Sequence, residues 1–387
     1  MRHEANSIPV DNVELLKNYT FTEDDFQFQE KGEVLSDTVP EDPPVGFFKD
    51  AMIRFSKNKA SMVSIFMLLF IIIMAIFGPM MGDFHFREQN VQWDRLPPRI
   101  PILENFGIFD GTSVVTVQVA NMPNWESVYI ETVRTFYQTA GARTVPMAEI
   151  RIDAYANVGA EDVYFWFGSD MLGRDLWTRL WRGARVSLTM AAIAVLINLT
   201  IGVVFGAVAA YYGKKTDMIM LYIMEVFNAV PTLIMVIIIA TRLGTTMWSL
   251  IIALTFSGWI GMAQMMRAQF YRYKGQEYVM AARVMGASDK RLIFRYILPN
   301  AIGPTITQVA VAIPTFMMTE AFLSYLGLGI QAPEPSVGVL LSQGQEMLLT
   351  NPHAVFFPAL VISILMLSFQ MMSNGLRDAF DPTLRGH

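Results

Sequence analysis

Few residues in this chain have the types and spacings that do chemistry, and none of them form a catalytic set. There is no cysteine, which removes disulfides, thiol nucleophiles and thiolate metal sites. The four histidines, His3, His85, His353 and His387, are too scattered for a zinc cluster. No GxxxxGK[ST] phosphate loop occurs. Two carboxylates stand out because they sit in apolar runs, Glu225 and Glu320. A charge in hydrocarbon costs at least ~2.5 kcal/mol near the bilayer centre. Glu225 has Asn228 and Pro231 close behind it. Glu225, Asn228 and Glu320 are therefore candidates for a lumen or gate. The alternative is a buried hydrogen bond that fastens one helix to another. Gln264 and Gln308 pose the same choice. The 27 methionines occur without histidine or cysteine clusters and read as adaptable packing, with some facing a pliable lumen, rather than as copper ligands.

A second kind of chemistry is mechanical. Residues 277–304, EYVMAARVMGASDKRLIFRYILPNAIGP, form a polar, basic strip between two apolar stretches. Gln276 to Ala287 reads as a short helix. Tyr278, Ala281, Ala282 and Met285, at i, i+3, i+4 and i+7, give it one apolar face. Gly286 ends that helix or lets the chain turn tightly. Ser288 caps a second helix over 289–298, and Asp289 suits its positive start. Leu298-Pro299-Asn300 then redirects the chain. Such a hairpin is either a rigid element that a partner grips or a basic loop resting on anionic lipid.

The elements that must position these residues are membrane helices. Hydrophobic residues make up 53% of the 387 and charged residues only 16%, with a mean hydropathy of +0.37. A span needs ~20 apolar residues. Six stretches approach that, near 60–82, 187–211, 217–241, 247–268, 305–328 and 355–372. The polar, acidic start carries no signal-peptide pattern, so the first span serves as the targeting signal. Residues 1–59 read as an N-terminal arm plus an interfacial helix from Phe47 to Asn58. Residues 83–165 form an insert too long for a simple loop. Within it VVTVQVA and EDVYFWF have strand character, and SVYIETVRTFYQTAGA reads as an amphipathic helix closed by Gly141. Lys49, Arg54, Lys57, Lys214, Lys215, Arg267, Arg272, Arg283 and Arg295 then fall on one side, with Arg377 and Arg385. The positive-inside rule makes that side, and both termini, cytoplasmic. Nothing in the basic pattern suggests nucleic acid.

The 277–299 strip resembles the EAA loop of inner-membrane permeases of binding-protein-dependent ABC importers. That pattern is Glu-Ala-Ala, three residues, Gly, nine residues, an apolar residue, one more, and Leu-Pro. Ala281, Ala282, Gly286, Leu298 and Pro299 fall in place, with Tyr296 as the apolar position. Met280 stands where the family has Glu, so no carboxylate is available there; Glu277, one turn earlier, is a weaker substitute. YVMAAR and ILPN are close to the peptide and nickel branch. Residues 167–189, FGSDMLGRDLWTRLWRGARVSLT, are similar to that branch's signature before span two, through Gly168, Asp170, Gly173, Arg174, Asp175, Arg179, Gly183, Arg185 and Ser187. Read physically, Asp170 is a cap, Gly173 a tight turn, and Asp175 and Arg179 i,i+4 partners on a surface helix. Arg185 belongs with these or snorkels at the boundary. FSKNKASMVS before span one resembles the C-type permease of oligopeptide importers.

The resemblance covers roughly 47–82 and 167–380. It implies an all-α membrane protein with six transmembrane helices of the type I ABC importer permease fold and a small α+β extracytoplasmic insert. The expected parts are span one at 60–82, a core permease domain at 166–372 with the coupling hairpin 277–298, and a cytoplasmic tail at 373–387. It further implies ATPase coupling through Glu277, Ala281, Ala282, Gly286, Ala287, Ser288, Leu298 and Pro299. Asp170, Gly173, Arg174, Asp175, Arg179 and Arg185 would form an outer entrance. The chain itself would bind no cofactor and catalyse nothing. ATP and Mg would reside in two partner ATPases, beside a homologous second permease and an extracytoplasmic peptide-binding protein in a bacterial inner membrane. The expected function is oligopeptide import. The alternatives are a dipeptide or nickel importer, or a secondary transporter, although no paired discontinuous-helix site is visible.

Overall fold

The computed structural model describes residues 47–140 and 143–380. The N-terminal arm before residue 47, Gly141, Arg385 and the end of the tail lie outside the described residues.

Helix α1, Phe47–Lys57, forms where a short helix was expected before span one. Its Ala51 and Phe55 are buried against Ala379 near the far end of the chain. Asn58 then caps α2, Lys59–Phe77, through its side-chain oxygen. Span one, extended by a short 3-10 turn, runs Lys59–Met80. The remaining spans are α4, Leu176–Tyr212; the pair α5, Lys214–Asn228, and α6, Thr232–Leu243; α7, Met247–Tyr273; α11, Gly303–Tyr325; and α13, His353–Phe380. Among the described residues five helices are long and apolar enough to cross a membrane, and α5 with α6, bent by 70°, gives six when the pair is counted as one span. Pro231 marks that break. It lacks an N–H and forces the preceding residue out of the helical region.

Span two begins eleven residues earlier than hydropathy places it. Arg179, Arg182 and Arg185 lower the apolar score of that first stretch. Asp175 nevertheless caps the helix, accepting from the N–H groups of Trp177 and Thr178. A ten-residue helix that the apolar pattern misses, α12 (Val337–Glu346), packs between spans five and six.

Spans two and four form the tightest pair. A Cβ on Gly202 would lie 2.5 Å from Met262 Cβ, and one on Gly206 would lie 2.2 Å from the Ala263 carbonyl oxygen. This GxxxG spacing lets two backbones meet where a larger side chain would hold them apart. An aromatic group of Phe205, Phe227 and Trp259 flanks the contact and seats α5 beside it.

The insert differs from expectation. Residues 129–140 form a strand, not a helix. β1, Thr112–Gln118, β2, Tyr129–Ala140, and β3, Arg143–Asp153, make an antiparallel sheet in the order β1-β3-β2. Thr132, Val133, Thr135, Phe136 and Tyr137 favour the pleated surface. Cross-strand pairs Arg134–Glu149 at 2.6 Å and Arg151–Glu131 at 2.8 Å hold the register. The Arg134 guanidinium keeps the Glu149 carboxyl below its usual range. The EDVYFWF segment is not a strand but a turn that plugs Phe165 into a small core of Leu96, Tyr155 and Phe84. The insert is therefore a small sheet with one α-helical turn, α3, Ala154–Asn157, and short 3-10 turns at Val91–Trp93, Leu103–Phe106 and Val119–Trp125; the longer helix expected over 127–142 is absent among the described residues.

Candidate functional site

The hairpin is built on the side of the spans opposite the insert. Helix α8 runs Glu277–Val284, and Gly286 follows at φ +83°. That left-handed backbone suits glycine and makes the expected tight turn. Ser288 occupies the expected cap position, but its side chain makes no capping bond. The second arm is longer than 289–298. It passes from α9, Asp289–Arg291, through a π-helical turn, Leu292–Ile297, into α10, Leu298–Ala301. Pro299 stays inside this arm. It cannot donate to the preceding turn, and the widened π turn just before it accommodates that loss.

The face that packs shares only Ala282 with the apolar stripe read from the spacing. Val279 and Ala282 are buried, with Leu292, Ile297 and Ala301, against Ala207, Ala210, Met266 and Phe270 of spans two and four. Tyr278, Ala281 and Met285 point outward. Two aromatic phenols and a lysine join the hairpin root to the spans. Tyr211 donates to Asp289 Oδ1 at 2.5 Å. Lys274 donates to the Ala210 carbonyl at 2.6 Å and lies 4.0 Å over the Tyr271 ring; burial lowers its pKa. Tyr271 in turn donates to Asp217, which also takes both Arg267 nitrogens at 2.6 Å. The tip carries a free apolar surface: Val284 is 89% and Met285 79% exposed, beside exposed Met280 and Phe294. Of the coupling candidates, Ala282 is buried, Ala287, Leu298 and Pro299 are half-buried, and Glu277, Ala281, Gly286 and Ser288 are exposed.

At the opposite end, the 168–185 segment forms a locked corner. Asp170 is not a helix cap but a shared counter-ion. Its carboxylate accepts from the N–H groups of Leu172 and Arg174 and pairs with the Arg174 Nε at 2.7 Å and with Arg179. Arg179 is 2% exposed and also donates to Gln343 of α12 at 3.0 Å. Asp175 caps span two instead of pairing with Arg179 on a surface helix. Burial raises its pKa. Gly173, at φ +66°, leaves no room for a Cβ beside the Asn90 carbonyl. Ser169 Oγ accepts from Leu96 N–H at 2.8 Å and donates to the Trp93 carbonyl, fixing the insert to this corner. Arg185 donates to the carbonyls of Ala75 and Ile76, the open end of α2. That is a boundary role, favoured by the negative helix terminus.

The embedded carboxylates part company. Glu320 is 1% exposed and accepts from Ser187 at 3.1 Å, Ser324 at 2.9 Å and Ser336 at 2.6 Å. It ties spans two and five to the start of α12, which is the helix-fastening alternative. Glu225 and Asn228 are exposed on α5 at the bend. An open cavity of about 420 Å³ instead lies among α4, α6, α7 and α11, where Gln308, Val311, Ala312, Thr315 and Thr319 share one face of α11. Asn198, Thr232, Ser257 and Gly261 complete its polar lining. Among these residues the sequence reading singled out only Gln308. The signal was the spacing of Gln308, Thr315 and Thr319 along span five, seven and then four residues apart, which puts them on one helix face.

Residues 202–386 match the family model "Binding-protein-dependent transport system inner membrane component". Residues 46–98 match "N-terminal TM domain of oligopeptide transport permease C". The chain is 36% identical over 341 residues to the oligopeptide transport system permease protein OppC of Bacillus subtilis, covering 88% of this chain and 91% of that one. It is 34% identical over 344 residues to the dipeptide transport system permease protein DppC of the same organism, covering 89% and 88%. Among solved structures, a chain of the inward-facing MetNI methionine ABC transporter aligns over 52% of this chain and 96% of its own, at 19% identity and a TM-score of 0.44.

Proposed function

This chain belongs to the binding-protein-dependent transport system inner membrane components, and on that premise we propose how its residues divide the work of import. It is a permease subunit of an oligopeptide or dipeptide ABC importer, an inner-membrane protein of several spans, and not the ATPase of the system. Homology implies a heteromeric complex with a second permease, ATPases and a binding protein. The secondary-transporter alternative falls with family membership.

The finer reading is as follows. One homologous permease completes the path, two ATP-binding subunits hold ATP and Mg, and an extracytoplasmic binding protein delivers an oligopeptide. Both termini and the hairpin are cytoplasmic. The observation that carries this reading is the hairpin's two-sided construction, with a buried root and an exposed apolar tip. Met280, Val284, Met285 and Phe294 form a knob for an apolar groove on an ATPase. The knob takes the place of the absent glutamate contact at position 280. Closure of the ATPases moves the knob, the packed root carries the motion into spans two and four, and the path along α11 opens alternately to each side. Asp170 and its arginines hold the outer entrance. The cavity along α11 presents amides, hydroxyls and small residues, a lining that engages peptide backbone and asks little of side chains.

Gly286→Leu tests the reading in the whole complex reconstituted in proteoliposomes. The bulky residue strains the turn by about 1–3 kcal/mol and tilts the knob. ATP-dependent peptide uptake should fall at least tenfold while the subunits still co-purify. Normal uptake by an assembled variant would overturn the coupling role.

A further inference from the structure

At the hairpin end, spans four, five and six surround a second open cavity of about 550 Å³. Each helix contributes one face. Met265 and Arg272 are seven residues apart on α7, Gln308 and Val311 lie on α11, and Arg377 lies in the last turn of α13. Gln308 and Val311 line the deeper cavity as well, so the two spaces adjoin. The volume falls in the ~300–1,000 Å³ range of small-ligand sites.

Its charges are one-sided. Both guanidiniums border the cavity, and among the described residues neither has a carboxylate within ion-pair distance. Arg272 also lies 5.7 Å over the Tyr273 ring; of its neighbours on this side, Arg267 is bound to Asp217 and Arg283 approaches the Tyr211 hydroxyl. Gln308 Oε1 is buried and accepts no hydrogen bond. Met265 and Val311 supply apolar wall beside these polar groups.

We propose that this inner mouth binds the C-terminal carboxylate of a peptide, with Arg272 and Arg377 as the cationic pair and the Gln308 side chain in the wall beside them. Arginine is suited to this because its planar fork matches a carboxylate. The site would hold the peptide at the last stage of its passage. The proposal rests on the importer reading and adds a recognition element to its exit.

The test uses the complete importer in nanodiscs, without the binding protein, and measures equilibrium binding of radiolabelled trialanine and of trialanine amide. The free acid should bind at least tenfold more tightly than the amide, the scale of a hydrogen bond to a charged group. Arg272→Gln and Arg377→Gln should each remove most of that preference and leave amide binding unchanged. Arg377→Lys should retain part of it. Equal binding of acid and amide, or variants that bind the acid like the parent, would overturn the proposal. So would a preference that appears only in nanodiscs containing phosphatidylglycerol and not in pure phosphatidylcholine, since the arginines would then serve lipid. Uptake of trialanine by the parent complex in proteoliposomes separates this failure from failure of the importer reading, which would abolish uptake altogether.

Discussion

Asp170 shows how one carboxylate organises a corner. It faces two guanidiniums that are nearly inaccessible, so each depends on it for a counter-charge. Removing one partner of a buried ion pair costs about 3–5 kcal/mol, because the charge left behind stays desolvated. Asp170→Asn should therefore lower the thermal unfolding midpoint in detergent clearly. Adding Arg179→Met should restore part of the loss, since only Arg174 is then left buried without its counter-charge. An unchanged midpoint in the single variant would show that the corner is solvated. This pairing was not legible in the sequence. Asp170 and Arg179 are nine residues apart, a separation that no helix or strand period brings together. The Ser187–Glu320 bond spans 133 residues. Single residues whose partners come from another span reveal themselves only when the spans have packed.

Whole elements were easier to read where hydrophobicity alone decides them. Five of the six apolar stretches became single long helices, and the one near 217–241 became the bent pair α5 and α6, because the bilayer imposes length and composition directly. The hairpin was legible too, since Gly286 needs a positive φ that few residues adopt. Its packing face was not legible: the helix lies on spans two and four through Val279 and Ala282, and an exposed knob carries apolar residues as well. β2 was misread because a mixed run of Thr, Val and Tyr fits a helical spacing as well as a pleat until β3 is placed beside it. The GxxxG contact gives a sharp element-scale expectation. Gly206→Ala should push α4 from α7 and destabilise the fold by about 1–3 kcal/mol, the usual cost of overpacking. Gly261→Ala should leave stability nearly unchanged, because the nearest atom to its added Cβ is 3.9 Å away. Thermal unfolding of the two variants side by side distinguishes them. Equal midpoints would mean that the helices separate freely.

On the scale of the molecule, a membrane body carries a sheet on one side and a hairpin on the other. The sheet is cut from the body at a convenient place. Thr112 and Asp153 are direct partners across β1 and β3, so their Cα atoms lie about 4.5–5.5 Å apart. Two glycines can therefore replace 113–152 without disturbing the Phe165 core beneath. If the sheet is a docking platform for the binding protein, the shortened importer should assemble normally. Its affinity for the binding protein should fall about tenfold or more, with uptake falling alongside. Affinity equal to that of the full-length chain would assign the sheet another role.

A cell making this chain reaches the bend between α5 and α6 when α4 is in place to hold α5 and α7 has not yet been made. At 1.5 Å per residue, α5 and α6 are about 22 and 18 Å long, and the hydrocarbon layer is about 30 Å thick. Neither half is long enough to cross that layer alone. The 70° bend between them is held on both sides by α7, whose Trp259 and Ser257 lie against Phe227 and Thr232. The second half of the pair thus leans on a helix that is synthesised after it.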